Sequence, residues 1–243
     1  MFLAWDQLNL PEPTKVQYDI ADYVQKGPKR RCVQAFRGVG KSWITSAYVC
    51  HQLLLKPDMN ILVVSASKQR ADDFSTFTLR LISEMPLLQH LRPGDHQRNS
   101  KVAFDVGPAP NAHAPSVTSR GITSQITGSR ADLIVADDVE SLNNSATQTM
   151  RDKLSETIRE FDAVLKPDGH VLYLGTPQTE QSIYNSLPQR GYDVRIWPAR
   201  YPGEKQKVMY GEKLAPLVSE DWTEENQGQP TDPGRFDEFD LME

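Results

Sequence analysis

The chain has 243 residues, which suits one large α/β domain with a tail, and 38% of them are apolar. Its net charge of −5 is not that of a basic nucleic-acid binder, yet nine of its 32 acidic residues and one of its 27 basic residues fall between Ser219 and Glu243. That leaves +3 on residues 1–218, where Lys29-Arg30-Arg31, Lys68 with Arg70, and Arg92, Arg98 and Lys101 can still gather against a polyanion. Two cysteines, Cys32 and Cys50, without metal-ligand spacing argue against a disulfide or zinc scaffold and fit a reduced, intracellular setting. The start has no basic signal-peptide region, and no apolar run nears the ~20 residues of a membrane span.

The first predicted element is a helix from Pro13 to Gln25, with Val16, Ile20 and Val24 on one face and Gly27-Pro28 as its stop. "RCVQAF" is a short apolar strand running into "RGVGKS", and a helix from Lys41 to Leu55 follows, ended by Pro57. "NILVVSA" is a strand of the buried type, followed by a helix to about Glu84. "KVAFDVG" alternates like a half-exposed strand, "PAPNAHAP" is a loop, and the Ser-, Thr- and Gly-rich run ending in "GSRAD" predicts short strands and turns. "DLIVADD" is another buried strand, with acids at its end. A long helix runs from about Ser145, a candidate cap, to Leu165. "HVLYLGTP" and "YDVRIWPA" are the fourth and fifth buried strands. After Leu217 the pattern dissolves, so residues 218–243 are expected to be an acidic linker or tail behind a domain over 1–217. Either the chain is cut there or the acidic tail is its natural end.

Strands alternating with helices predict an α/β fold with a mainly parallel sheet flanked by helices. In such sheets ligands bind beyond the carboxyl ends of the strands. Lys41, Ser65, Asp137 and Thr176 all fall at such ends. "NILVVSA" lies between the glycine loop and "LIVADD" in sequence. If it also inserts between them in the sheet, the layout is the additional-strand type of motor ATPases. No N-K-x-D motif points to guanine.

"QAFRGVGKSW" ends like a phosphate-binding loop of the form G-x-x-x-x-G-K-S/T, but Ala35 stands in place of the first glycine. The substitution is tolerable if that position does not need positive φ. Such a loop points backbone N–H groups at phosphate oxygens. Around Gly38, Val39, Gly40 and Trp43, Lys41 places charge on the β- and γ-phosphates, and the Ser42 hydroxyl can ligate magnesium. Downstream, "LIVADDVE" puts Asp137 at the tip of a buried strand, where it would hold Mg²⁺. Asp138 is the candidate base or positioner for the attacking water, and Glu140 is its rival.

Taken in order, "PTKVQ", "FRGVGKS", "SASKQRAD", "GSRADLIVADDVE" and "LYLGTPQT" resemble the ATPase domain of the large terminase subunit, the DNA-packaging motor of tailed bacteriophages. The likeness is to its podovirus-type members, also called DNA maturase B, and extends through "WPARYPGE", "YGEKLAP" and "QGQPTDPGRFD". The resemblance implies a P-loop NTPase of the additional-strand (ASCE, RecA- or helicase-like) type. It implies that Gln17 reads the N6 and N7 edge of adenine. Arg37 would contact the γ-phosphate or link nucleotide state to subdomain motion, and Arg130 would reach a neighbouring subunit's nucleotide. Gly175-Thr176-Pro177 matches the coupling motif, where a hydroxyl senses the γ-phosphate.

The resemblance further implies ATP and Mg²⁺ as cofactors. Its partners would be double-stranded DNA, the portal of the procapsid, the small terminase subunit and further copies in a ring of about five, in the cytoplasm of an infected bacterium and away from any membrane. The family's large subunit also carries an RNase H-like nuclease that these residues do not match, so nuclease activity is not expected of them. Two other readings stand beside this one. The first is a DEAD-like helicase fragment, which would need a second RecA-like domain. The second is a nucleotide-gated scaffold that does not hydrolyse.

Overall fold

The computed structural model describes residues 1–176 and 182–237. A short helix, α1 (Phe2–Gln7), precedes α2 (Lys15–Lys26), whose start is fixed by a reciprocal cap. Thr14 Oγ1 accepts from Gln17 N at 3.3 Å, and Gln17 Oε1 accepts from Thr14 N at 3.1 Å. Then come β1 (Arg30–Ala35), α3 (Lys41–Leu55), β2 (Ile61–Ser65) and α4 (Lys68–Glu84), the last capped by Ser67. The stretch "KVAFDVG" yields only the two-residue β3 (Ala103–Phe104), and β4 (Val117–Gly121) lies beside it. β5 (Ala131–Asp137) leads into the single turn α5 (Leu142–Ser145) and the long α6 (Gln148–Val164). Ser145 therefore closes α5, and the cap of α6 is Thr147, whose Oγ1 accepts from Met150 N at 3.3 Å. β6 (Leu165–Gly175) and β7 (Asp193–Trp197) complete the sheet, followed by the short helices α7 (Glu204–Tyr210) and α8 (Pro216–Glu220).

The seven strands lie in the order β3-β4-β2-β5-β6-β1-β7, all parallel except the β3–β4 pair. A strand does separate β1 from β5, as the additional-strand fold requires, but it is β6 and not β2. The "NILVVSA" strand lies on the far side of β5, where Ser65 pairs with Asp137. Sequence order favoured β2 because it is nearer in the chain. The connection through α6 instead returns β6 to the middle of the sheet, between β5 and β1.

Both faces of the sheet are covered, which is why its strands read as unbroken apolar runs. Val33, Val63, Val135 and Leu174 turn toward one face with α2, α3 and α4. Cys32, Val64, Ile134 and Tyr173 turn toward the other, under Leu154, Ile158 and Phe161 of α6. Arg31 is part of this interior rather than of a surface cluster. Its guanidinium is buried and donates to Pro28 O, Val24 O and the Tyr48 hydroxyl.

Residues 218–237 rest against the body of the fold. Val218, Thr231 and Asp232 are buried, Trp222 Nε1 donates to Pro202 O at 2.7 Å, and Arg200 forms a β-bridge with Pro230. The acidic side chains there are mostly exposed, so composition alone reads as a tail, whereas the backbone and the few inward residues hold it to the body. Among the described residues no helix is long and apolar enough to cross a membrane.

Candidate active site

A cleft of about 640 Å³ opens at the carboxyl ends of β1, β5 and β6. The glycine loop forms its floor. Ala35 is still strand, paired with Trp197, and is not among the residues with positive φ. The missing first glycine is thus unnecessary. The left-handed turns fall later, at Gly38 (φ 87°) and Gly40 (φ 92°), where a side chain would be strained. Val39 between them is fully buried and pins the loop into the core.

Lys41 lies folded back under the loop. Its Nζ donates to Ala35 O at 2.7 Å, Phe36 O at 3.2 Å and Thr176 Oγ1 at 3.1 Å. Burial draws the ammonium below its ordinary pKa, and Asp138 and Asp137 pull it back up. Thr176 Oγ1 also lies 3.1 Å from Ala35 O, so the ends of β6 and β1 are joined at the lysine. Gly175 is needed for packing: a Cβ there would stand 2.4 Å from the Tyr184 ring. Pro177, the last residue of that motif, lies outside the described residues.

Ser42 Oγ sits 2.9 and 3.1 Å from the two carboxylate oxygens of Asp137. Burial pushes the Asp137 carboxyl up to about 6 and Asp138 adds to the rise, while Ser42 and Lys41 act against it. One hydroxyl and one carboxylate are the protein share expected for Mg²⁺, which keeps several waters and takes phosphate oxygens for the rest. A cation between them would also offset the burial of the carboxylate. The donor set therefore fits such an ion.

Asp138 follows at φ 45°, a region unfavourable to a side-chain-bearing residue. Its N–H donates to Leu174 O at 2.9 Å and its carbonyl accepts from Ala66 N at 3.3 Å, so neighbouring strands hold it there. Asp138 and Glu140 both line the cleft. Glu140 is 4% exposed; its Oε2 accepts from Ser182 Oγ and Ile183 N, and its Oε1 has no partner among the described residues.

The other sequence candidates separate. Arg37 is exposed on the cleft rim, and Trp43 stacks on Phe77 at 5.9 Å beside it. Gln17 is under the loop rather than on the cleft wall, with Nε2 donating to Val39 O at 2.8 Å. Ser65 is fully buried beside Asp137. Arg130 precedes β5, at the opposite end from Asp137, and its Nη1 donates to Ala163 O at 3.0 Å.

Two cationic residues on the cleft wall were not among the nucleotide-site candidates of the sequence: Arg70, near the start of α4, expected only in a basic cluster with Lys68, and Arg235. Arg70 stood inside the quoted "SASKQRAD", directly after a strand end, and that position was the available signal.

No family model matches the chain. The large terminase subunit of Enterobacteria phage T3 is 51% identical over all of this chain and 43% of its own length, so the chain spans less than half of that relative. Among solved structures, the large terminase ATPase domain of Thermus phage P74-26 superposes with a TM-score of 0.50 at 16% identity, covering 81% of this chain and 84% of that one. A complex of S. cerevisiae dbp5 also reaches 0.50, at 13% identity over 80% of this chain and 50% of its own. These two structures bear on the fold alone.

Proposed function

Because the chain belongs to the large terminase subunits over the part of their length that it spans, we propose that it is their ATP-hydrolysing motor, which drives double-stranded DNA into a procapsid. The observation that carries this reading is the convergence of Lys41, Ser42 and Thr176 on one cleft at the ends of β1, β5 and β6, with Asp137 hydrogen-bonded to Ser42 beneath it. Lys41 would exchange its carbonyl partners for β- and γ-phosphate oxygens. Asp138 would orient the attacking water and take its proton as the bond from the γ-phosphorus to the bridging oxygen breaks. A magnesium ion held by Ser42 and Asp137 would supply charge neutralisation on the phosphates. Thr176 touches the lysine now, and loss of that contact on ATP binding would pass nucleotide state into β6. Arg37 would meet the γ-phosphate from the rim. Gln17 supports the loop, and reading adenine would require its amide to leave Val39.

In this reading DNA is gripped mainly through its phosphates, since a packaging motor must pass every sequence. The portal, the small terminase subunit and a ring of about five copies complete the assembly at the procapsid, in the cytoplasm of the infected bacterium. The test is steady-state ATP turnover with and without duplex DNA, with Lys41→Ala as control. Turnover that depends on Lys41 and rises with DNA supports the motor. Lys41-dependent assembly without turnover points to a scaffold, and strand separation on a forked duplex points to a helicase.

A further inference from the structure

We propose that Arg235 is a positioning residue of the nucleotide site, delivered by the C-terminal segment; this rests on the reading of the glycine loop as an ATP site. Arg235 Nε donates to Gly38 O at 2.7 Å, and its side chain lines the same cleft as Lys41. Phe236 packs edge-on against Phe36 at 5.7 Å. A Cβ at Gly38 would stand 2.6 Å from its ring, so the segment is seated directly on the loop.

The seat is built. Asp232 is 4% exposed and accepts from Thr14 Oγ1 at 2.8 Å, while its own carbonyl accepts from Arg235 N and Phe236 N, both at 3.0 Å. Thr14 is also the cap of α2, and Gln17 in the first turn of that helix holds Val39 O. Two successive loop carbonyls are therefore gripped, Gly38 O by Arg235 and Val39 O by Gln17. In a planar trans peptide the N–H points opposite to the C=O. Fixing those two carbonyls aims the N–H groups of Val39 and Gly40 the other way, as a phosphate cradle needs. Arg235 also adds positive charge to the cleft wall. The loop is completed by a residue almost two hundred positions later in the chain.

The experiment is MgATP titration by calorimetry of the chain, Arg235→Ala, Arg235→Lys and Lys41→Ala, with turnover at saturating ATP and thermal melting alongside. Arg235→Ala should raise Kd about tenfold, the scale of one hydrogen bond to a charged group. Saturated turnover should change far less than Kd, the split that separates positioning from a general loss of fold, and melting should fall by no more than the loss of one hydrogen bond implies. Arg235→Lys should recover part of the loss, because it keeps the charge but not the rigid, planar guanidinium that places Nε on Gly38 O. Binding that uses the seated segment also holds it closed, so MgATPγS should slow tryptic cleavage after Arg235, and not in Lys41→Ala. Equal Kd for the chain and Arg235→Ala, or a cleavage rate indifferent to nucleotide, overturns the proposal and leaves the ATP reading standing. If the unaltered chain shows no Lys41-dependent binding, the ATP reading fails and takes the proposal with it.

Discussion

Glu140 Oε2 accepts a 2.7 Å hydrogen bond from Ser182 Oγ and a 2.8 Å bond from Ile183 N, in the buried wall of the cleft. Asp138, two residues earlier, lines the same cleft and is held at positive φ by strand neighbours. One carboxylate is tied into the fold and the other is presented.

This difference predicts distinct outcomes for substitutions at the two positions. Asp138→Asn should lower turnover by about 10²–10⁴, the range for loss of a general base, with ATP affinity kept. Glu140→Gln should change turnover far less, because its amide oxygen can still accept from Ser182 and Ile183, whereas Glu140→Ala, which removes that acceptor and leaves two buried donors unpaired, should lower thermal stability. Kinetics and melting of the variants, measured side by side, check this. The opposite pattern would make Glu140 the base.

Asp137 makes stability depend on pH. Burial brings its folded-state pKa to about 6, above the ordinary carboxyl value of 3.8, so the native chain holds this proton more tightly than the unfolded one. The stabilising contribution is full below about pH 4 and is lost as pH rises through about 6, a change of about 3 kcal/mol. Asp137→Asn should therefore raise the urea midpoint of the nucleotide-free chain at pH 8 and leave it nearly unchanged at pH 4. Affinity for MgATP should fall below about pH 6 in the unaltered chain, because the carboxylate must be ionised to hold the metal. A variant shifted equally at both pH values would contradict the assignment.

Arg130 cannot serve its own site. β5 has seven residues, so its ends lie about 20 Å apart, with Arg130 before one and Asp137 at the other. If it acts across a subunit boundary, turnover per chain should rise with protein concentration, and Arg130→Ala should abolish that rise without changing the dilute rate. Turnover strictly linear in concentration would remove this role.

Ala35 sits in a paired strand, so Ala35→Gly should add nothing to nucleotide binding. It should destabilise the chain by about 0.5–1 kcal/mol through added backbone freedom. Chemical denaturation and one ATP titration are enough to see both. Tighter binding in the variant would mean that the loop does want glycine there.

The P-loop strand, its helix and the acidic strand end were legible because each announces itself locally. An apolar run breaks at glycine, and Lys41–Leu55 has its boundaries written in neighbouring residues. Which strand lies between β1 and β5 is decided by packing over a long crossover, and no local signal at Ile61–Ser65 or Leu165–Gly175 records it. The role of Gln17 depends on Val39 lying above it, a contact 22 residues away. Residues 218–237 were harder to read for a compositional reason: most of their acids face outward, and the residues that turn in, among them Val218, Trp222, Thr231, Asp232 and Phe236, form no periodic pattern.

Both thiols lie inside the sheet and its covering helices. Cys32 is fully buried and Cys50 is 3% exposed. Burial raises the first well above the ordinary thiol range and pushes the second up to about 12, so neither offers a thiolate to a reagent at neutral pH. A cysteine introduced at an exposed position such as Pro233 would take a maleimide dye alone. The chain thus comes ready for single-site labelling, and the C-terminal segment can carry an optical reporter without any change to the interior.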